Sequence, residues 1–142
     1  MKGRRKTIAP RCVLDSGGLT ALAGGSQQAR ALLRWLVGQG GAIIVPTAIL
    51  VEITTGDGGR DAEVNRILGV LGRAAGALSP LTEETARRAG RLRFRARSDD
   101  GIDALVAAEA AGHGEPCVLL TSDPGDLTRL LAGEPNVDIM PV

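Results

Sequence analysis

Aromatic side chains are nearly absent from this sequence, at 1% of its 142 residues, and tyrosine does not occur at all. We therefore expect a core of leucine, valine, isoleucine and alanine, and we expect the single tryptophan, Trp35, to belong to that core. So few aromatic rings also argue against base stacking as the main grip on a nucleic acid.

Histidine and cysteine are scarce as well. His113 is the only histidine, and Cys12 and Cys117 lie in separate apolar segments, which argues against a zinc site of the Cys/His kind. No apolar segment approaches the ~18 residues of a membrane helix. The basic residues 1–9, which we expect to be a flexible tail, lead into no apolar region of the signal-peptide type. We therefore expect a cytoplasmic protein with no membrane contact.

Short apolar segments alternate with amphipathic segments along the whole chain. We predict strands at 11–14, 42–45, 75–78, 117–121 and 137–140. We predict helices at 16–23, 26–37, 47–53, 61–71, 82–97, 102–111 and 124–131. This alternation is typical of an α/β sandwich around a mostly parallel sheet. Since no linker or repeat interrupts it, residues 1–142 are predicted to form a single domain.

Four acidic residues lie where such a fold places its ligands. Asp15 follows the first predicted strand directly and Asp123 follows the fourth by two residues, and ligands of open α/β sheets bind beyond these strand ends. Glu52 and Asp103 lie early in predicted helices. Asp99 is four residues before Asp103, so the two share a helix face if that helix begins early.

Carboxylates that converge repel one another, by roughly 1 kcal/mol for a pair about 4 Å apart in water and by about 4 kcal/mol at an effective dielectric constant near ~20. A divalent cation such as Mg²⁺ or Mn²⁺ reverses this repulsion and activates a bound water for attack on a phosphate. Each acid also has an ordinary role open to it. Asp15 and Asp123 can be helix N-caps, and Glu52 and Asp103 can be solvated helix residues.

The segments around these acids occur in a recognisable order, at 13–16, 45–52, 103–108 and 120–127. This order resembles the PIN-domain family, and most closely the VapC-type toxins of bacterial toxin–antitoxin pairs. The resemblance implies a three-layer α/β/α sandwich with a central parallel sheet of about five strands. It also implies a Mg²⁺-dependent endoribonuclease, with Mn²⁺ as a possible substitute.

The resemblance assigns roles to particular residues. Acids that match the family's catalytic, metal-holding positions are Asp15, Glu52, Asp103 and Asp123. Ser16 and Thr121 match small hydroxyl positions that support the site, and Asp126 matches a commonly acidic position in the last loop. The pair Gly17 and Gly18 departs from the family pattern, and we expect it to loosen the first turn of its helix and to allow a close approach.

Arginine supplies nearly all of the positive charge, and four arginines lie on one side of the helix predicted at 82–97. They are Arg87, Arg88, Arg91 and Arg95. A basic face beside an acidic metal pocket suits RNA, because the arginines can follow the phosphates. The alternative is a solvated helix face that is balanced by neighbouring acids.

We therefore expect the toxin of a toxin–antitoxin pair, which hydrolyses RNA phosphodiester bonds. Its expected partners are RNA, a cognate antitoxin and a second copy of the chain, the last two by resemblance only. The alternative function is a non-catalytic PIN-like module that binds RNA or protein. Two other acid-pocket folds fit poorly: an aspartyl-phosphate phosphatase needs an aspartate where Gly17 stands, and a receiver domain needs a late lysine, yet none follows Lys6.

Overall fold

Five strands and seven α-helices alternate in the computed structural model, which describes residues 10–74 and 76–142. The predicted tail, residues 1–9, lies outside the described residues. The strands are β1 (Arg11–Leu14), β2 (Ile43–Pro46), β3 (Gly76–Ser79), β4 (Cys117–Thr121) and β5 (Val137–Pro141). The helices are α1 (Ser16–Ala23), α2 (Gln27–Gly38), α3 (Leu50–Ile53), α4 (Gly58–Ala74), α5 (Glu83–Ala96), α6 (Gly101–Ala111) and α7 (Gly125–Leu130), and a 3₁₀ turn at Thr47–Ile49 precedes α3.

The strands form one sheet in the order β3-β2-β1-β4-β5, and every neighbouring pair is parallel. This confirms the predicted parallel sheet of about five strands. The chain builds outward from β1 through β2 to β3, and then returns to place β4 on the other side of β1. Leu14 at the end of β1 pairs with Leu120 near the end of β4. The point where the strand order reverses is the usual ligand crevice of an open α/β sheet.

Helices cover both faces of the sheet, which confirms the predicted three-layer α/β/α sandwich. On one face α1 and α2 contact β1, and α4 contacts α1 and β3. On the other face α6 contacts β1, β2 and β4, while α5 and α7 pack against α6. The face of α6 that touches the sheet consists mostly of alanine, so the helix lies close to the strands. Because a crossover helix runs antiparallel to its strands, the first turn of α6 lies at the carboxyl edge of the sheet.

The core consists of aliphatic side chains, but Trp35 is not among them. The apolar residues of β1 and β4 are buried except Val118, which is partly exposed, as expected for central parallel strands. Trp35 is 54% exposed, so its assignment to the core was wrong. The buried positions of α2 are Ala29, Leu33 and Leu36. Residue 35 does not lie on this stripe, because it is two positions from residue 33 and so points to another side of the helix.

Side-chain capping explains where several helices begin. Ser26 caps α2 and Thr82 caps α5, at the residues where these helices were predicted to begin, through bonds from the Ala29 and Thr85 backbone N–H groups. Thr47 does not cap the helical segment after β2, because its hydroxyl donates to the Ser79 carbonyl oxygen at 3.1 Å. That bond ties the end of β2 to the end of β3.

No helix within residues 10–74 and 76–142 combines the length and the apolar character that crossing a membrane requires.

Candidate metal centre

Asp15 lies at the junction of β1 and α1 and is held from two directions. Its Oδ1 accepts a 2.7 Å hydrogen bond from the Gly18 backbone N–H, which makes it the N-cap of α1. Its Oδ2 accepts a hydrogen bond from the Thr121 hydroxyl at the end of β4. Only 6% of the residue is exposed, and this burial raises the pKa of the carboxyl, against the effect of its hydrogen bonds and with a further contribution from Glu52. The capping role and the position at the strand edge are therefore combined in one residue.

Two hydroxyl groups join the segments that carry acids. Thr121 also accepts a 3.0 Å bond from the Asp123 backbone N–H, so one buried hydroxyl links the ends of β1 and β4. Ser16 donates a 3.0 Å bond to Glu52 Oε1, which joins α3 to the first turn of α1. Both hydroxyl positions thus hold acids of the predicted site in place.

Asp103, in the first turn of α6, is the described acid whose pKa is shifted furthest from its ordinary value. Burial, followed by repulsion from Asp100, Asp15, Glu52 and Asp126, raises its pKa to about 7. These neighbours come from the ends of β1, α3 and α7 and from the residue before α6. The fold therefore brings five carboxylates toward one region at the carboxyl edge of the sheet.

Three of these acids form a tight group. One carboxylate oxygen from each of Asp100, Asp103 and Asp126 lies within 4.8 Å of the other two. Asp100 is the N-cap of α6, since its Oδ1 accepts a 2.9 Å bond from the Asp103 backbone N–H. Sequence reasoning missed Asp100 and named Asp99, which lies before the helix and is exposed. The Asp-x-x-Asp spacing ahead of an apolar helix is the capping signal that could have identified it.

Asp123 is placed differently from the other acids. Its residue is exposed, and its Oδ1 accepts a 3.3 Å bond from the Gly125 backbone N–H at the start of α7. It is not among the charges that raise the pKa of Asp103. Of the four acids predicted to hold metal, Asp15 and Glu52 thus lie near enough to raise the pKa of Asp103, and the carboxylate of Asp123 is turned toward α7. Among the described residues, only Asp103 of these four belongs to a group of acids whose oxygens lie within 4.8 Å of one another.

The glycine pair after the first acid is required by close packing. A Cβ at Gly17 would lie 2.0 Å from Ser122 Oγ, and a Cβ at Gly18 would lie 2.2 Å from the Leu120 carbonyl oxygen. The first turn of α1 therefore rests directly on the end of β4. The close approach expected at this pair is made by the chain's own backbone.

The donor atoms around Asp103 are all oxygens. The only histidine, His113, faces Glu84 at 3.5 Å on the surface. Burial raises the pKa of Cys12 to about 12 and that of Cys117 to about 11, so both thiols stay protonated inside the sheet. Crowded carboxylates without nitrogen or sulfur donors fit a hard divalent cation such as Mg²⁺ or Mn²⁺.

The predicted arginine face lies on α5 and is partly neutralised. Arg87 and Arg88 each bind the glutamate one turn earlier, at 2.9 and 3.1 Å. Arg95 donates to the Leu130 carbonyl oxygen and so ties α5 to α7. Arg91 is exposed and forms no ion pair with any acid in residues 10–74 or 76–142. The predicted face therefore contains arginines that acids neutralise, and one exposed arginine, Arg91, that no acid of the described residues neutralises.

Solved structures of similar fold come from toxin–antitoxin systems. VapBC2 from Rickettsia felis, bound to a promoter DNA fragment, contains a chain with a TM-score of 0.71 and 13% identity, over 93% of this chain and 98% of that one. A chain of a toxin–antitoxin complex from Klebsiella pneumoniae has a TM-score of 0.65 and 20% identity, over 89% of this chain and 95% of that one. A chain of VapBC-5 from Mycobacterium tuberculosis has a TM-score of 0.59 and 20% identity, over 93% of this chain and 98% of that one. At these identities the similarity is one of fold.

Sequence comparison identifies the family. Curated protein sequences give no match to the chain. The family model described as PIN domain matches residues 12–130, which includes all four predicted metal-holding acids and both hydroxyls that hold them. Since the match extends over most of the chain, the protein belongs to the PIN domain family.

Proposed function

We propose that this chain is a metal-dependent endoribonuclease that acts as the VapC-type toxin of a toxin–antitoxin pair and hydrolyses RNA phosphodiester bonds. The observation that carries the proposal is the crowding of acids around Asp103 at the strand-order reversal. A half-buried carboxyl with four acidic neighbours is costly for stability, and a cation removes that cost. Membership of the PIN family and the toxin–antitoxin origin of the similar folds support the same conclusion.

The acids proposed to hold Mg²⁺, or Mn²⁺ in its place, are Asp15, Glu52, Asp103 and Asp123. Asp100 and Asp126 supply further carboxylate oxygens beside Asp103. A bound divalent ion lowers the pKa of a water ligand and neutralises charge that develops on the phosphate.

The chain's own groups prepare the site. Thr121 and the Gly18 N–H fix the two oxygens of Asp15, and Ser16 fixes one oxygen of Glu52, so these carboxylates need little reorganisation to bind an ion. Asp103 is partly protonated near neutral pH, since its pKa is about 7. Loading of the ion must therefore displace a proton, and metal affinity should rise with pH.

An apolar groove between α2 and α4 is the proposed site for an antitoxin. It is a cavity of about 490 Å³ whose floor includes Leu22, Leu33 and Leu71. Its rim carries Arg30, Arg34 and Arg66. A partner segment with apolar side chains and flanking acidic groups would complement both features. The resemblance to VapC-type toxins implies that the helices predicted at 26–37 and 61–71, which carry this groove, form an antitoxin groove and a dimer face.

Cleavage of RNA tests the proposal. Wild-type protein with Mg²⁺ or Mn²⁺ should cut RNA internally, and EDTA should abolish cutting. Asp103→Asn and Asp15→Asn should lower the rate by at least about 100-fold. Asp138→Asn, a change at an exposed acid on β5, should cleave as wild type does and serves as the control for the unspecific loss of one negative charge.

Two outcomes count against this function. Equal cleavage by wild type and by both active-site variants would refute the assigned acids. Binding of RNA without cleavage, with every divalent cation tried, would instead favour the non-catalytic binding module.

A further inference from the structure

Phe94, the only phenylalanine of the chain, is 87% exposed. It lies on α5, whose buried positions are Ala89 and Leu92. An exposed ring contributes nothing to the core and costs solvation free energy. In a chain with so few aromatic residues, a ring held in solvent points to recognition of a ligand.

The ring lies in the wall of a cavity of about 480 Å³ at the end of α5, a volume within the range of small-ligand pockets. The cavity is lined by Arg93, Phe94, Arg95, Arg97, Ser98 and Asp99. The lining therefore combines one aromatic ring with three arginines and one carboxylate. The guanidinium group of Arg95 is already paired with Glu134 at 3.5 Å, which leaves those of Arg93 and Arg97. This combination suits a flat, uncharged ring that is linked to phosphates.

The pocket lies where the chain leaves α5. Arg97 ends α5 in the left-handed conformation, with φ of 53°, and so turns the chain sharply after the helix. Neither Arg93 nor Arg97 forms an ion pair with an acid in the part of the chain that the structure describes. Both exposed guanidinium groups are thus available to an anion.

Ser98 is the wall shared by the pocket and the acid cluster. It is 4% exposed, and its hydroxyl accepts a 3.1 Å bond from the Asp100 N–H and donates a 3.5 Å bond to Asp126 Oδ2. Asp100 and Asp126 are two of the three tightly grouped acids. A nucleotide in the pocket would therefore be a near neighbour of the phosphate at the acids.

We propose that this cavity is a nucleobase subsite for single-stranded RNA. The base stacks on Phe94, Arg93 and Arg97 bind the flanking phosphates, and Asp99 accepts hydrogen bonds from amino groups of the base. The subsite rests on the proposed ribonuclease function and adds to it a way of selecting an unpaired nucleotide beside the cut. It differs from the expectation that stacking plays little part, because one exposed ring beside the acids is sufficient for one base.

The test compares two strands and three proteins. We measure the affinity for short oligoadenylate and for an abasic strand of the same length. Ca²⁺ replaces Mg²⁺ in these measurements, and electrophoresis first shows that the strands stay intact. Wild type and Phe94→Tyr, which keeps the ring, should prefer oligoadenylate by roughly 5- to 150-fold, the range measured for stacking of one base. Phe94→Leu should lose that preference and keep its affinity for the abasic strand. Since Phe94 is exposed, the substitutions should leave folding intact.

Other results would overturn the subsite. They are an undiminished preference in Phe94→Leu, equal affinity of wild type for the two strands, or a change of sedimentation mass in Phe94→Leu, which would show that a second copy covers the ring. Failure of the ribonuclease function has a different signature: wild type would then cleave no RNA with Mg²⁺ while the Phe94-dependent preference persisted.

Discussion

Asp103 shows how a single carboxyl can be made responsive to metal. It is half-buried in the first turn of α6, where the helix dipole favours a negative charge, yet its pKa is raised to about 7. Burial and the four surrounding acids therefore outweigh the dipole. A divalent ion changes this balance, because it replaces repulsion by attraction for every acid at once.

Thr121 offers a direct test of the supporting hydroxyl. Thr121→Val keeps the shape but removes the donor to Asp15 and the acceptor for the Asp123 N–H, so the free energy of unfolding should fall by about 1–3 kcal/mol. The pKa of Asp15 should rise further, because a bond that lowers it is lost. Urea denaturation measures the first effect, and NMR titration of the carboxyl carbon measures the second.

The matched control is Thr121→Ser, which keeps the hydroxyl and loses only a methyl group. It should cost about 1 kcal/mol and leave the pKa of Asp15 close to its wild-type value. If the serine variant lost as much as the valine variant and shifted the pKa equally, the hydrogen bonds would not be the cause.

At the scale of residues, the sequence correctly predicted the position of side chains that directly follow a strand. It failed where the exact start of a helix or the direction of a side chain decides which acids lie together. Asp15 and Thr121 end β1 and β4, so topology alone places them together. Asp99 was named instead of Asp100, although only Asp100 has the three-residue spacing to Asp103 that is typical of a cap. The sequence left Asp123 open between a metal-holding role and a helix N-cap, and its bond from the Gly125 N–H at the start of α7 is of the second kind.

At the scale of elements, the packing of α1 on β4 sets the geometry of the site. The Gly18 N–H donates to Asp15, the N-cap of α1, and this same turn of α1 lies against the end of β4. The glycine pair is therefore part of the site's construction, although neither residue carries a functional group. From the sequence, the pair was recognised as unusual, but the surface that approaches it was not identifiable before the fold was known.

Gly18→Ala should separate α1 from β4. The new Cβ would lie 2.2 Å from the Leu120 carbonyl oxygen, a backbone atom that cannot move aside, so the free energy of unfolding should fall by more than about 2 kcal/mol. Gly90→Ala is the control, because its Cβ would meet nothing within 4 Å in the middle of α5. It should stabilise by about 0.5–1 kcal/mol.

Thermal or urea unfolding of Gly18→Ala and Gly90→Ala measures both changes in the free energy of unfolding. A Gly18→Ala protein as stable as wild type would show that α1 does not lie as closely on β4 as the structure has it.

The elements themselves were largely predictable, with boundaries that differ by at most three residues. Alternating apolar and amphipathic segments are a strong signal, and Ser26 and Thr82 marked two helix starts correctly. Thr47 begins the helical segment predicted at 47–53 but does not cap it, since its hydroxyl bonds across the sheet edge to Ser79. Trp35 was misplaced because hydrophobic size outweighed its position off the buried stripe of α2.

At the scale of the whole molecule, the strand order concentrates acids from distant parts of the sequence at one edge. This arrangement should make the metal-free protein sensitive to pH. The pKa of Asp103 is about 7 in the folded state against 3.8 for an ordinary aspartate, as in the unfolded chain, so between these two pH values the folded state holds an extra proton. Protonated Asp103 therefore stabilises the folded state fully at pH values below the unfolded-state pKa. This stabilisation is lost as the pH rises through the folded-state pKa.

In EDTA, the free energy of unfolding should therefore be lower at about pH 8 than at about pH 5, and Asp103→Asn should reduce that difference. Added Mn²⁺ should stabilise wild type more at the higher pH, where no proton competes for Asp103. Urea titrations of both proteins, with and without Mn²⁺, measure these changes. A variant with the same pH dependence as wild type would remove Asp103 from the explanation.

The position of Mn²⁺ in a soaked crystal, found from its anomalous scattering, is the most direct measurement of whether these acids hold an ion. We expect a peak in contact with the Asp103 carboxylate and with carboxylates from at least one other element, and the same map will show whether Asp123 or the pair Asp100 and Asp126 completes the shell. Mn²⁺ bound elsewhere on the protein, with no peak at Asp103, would contradict the proposed metal centre.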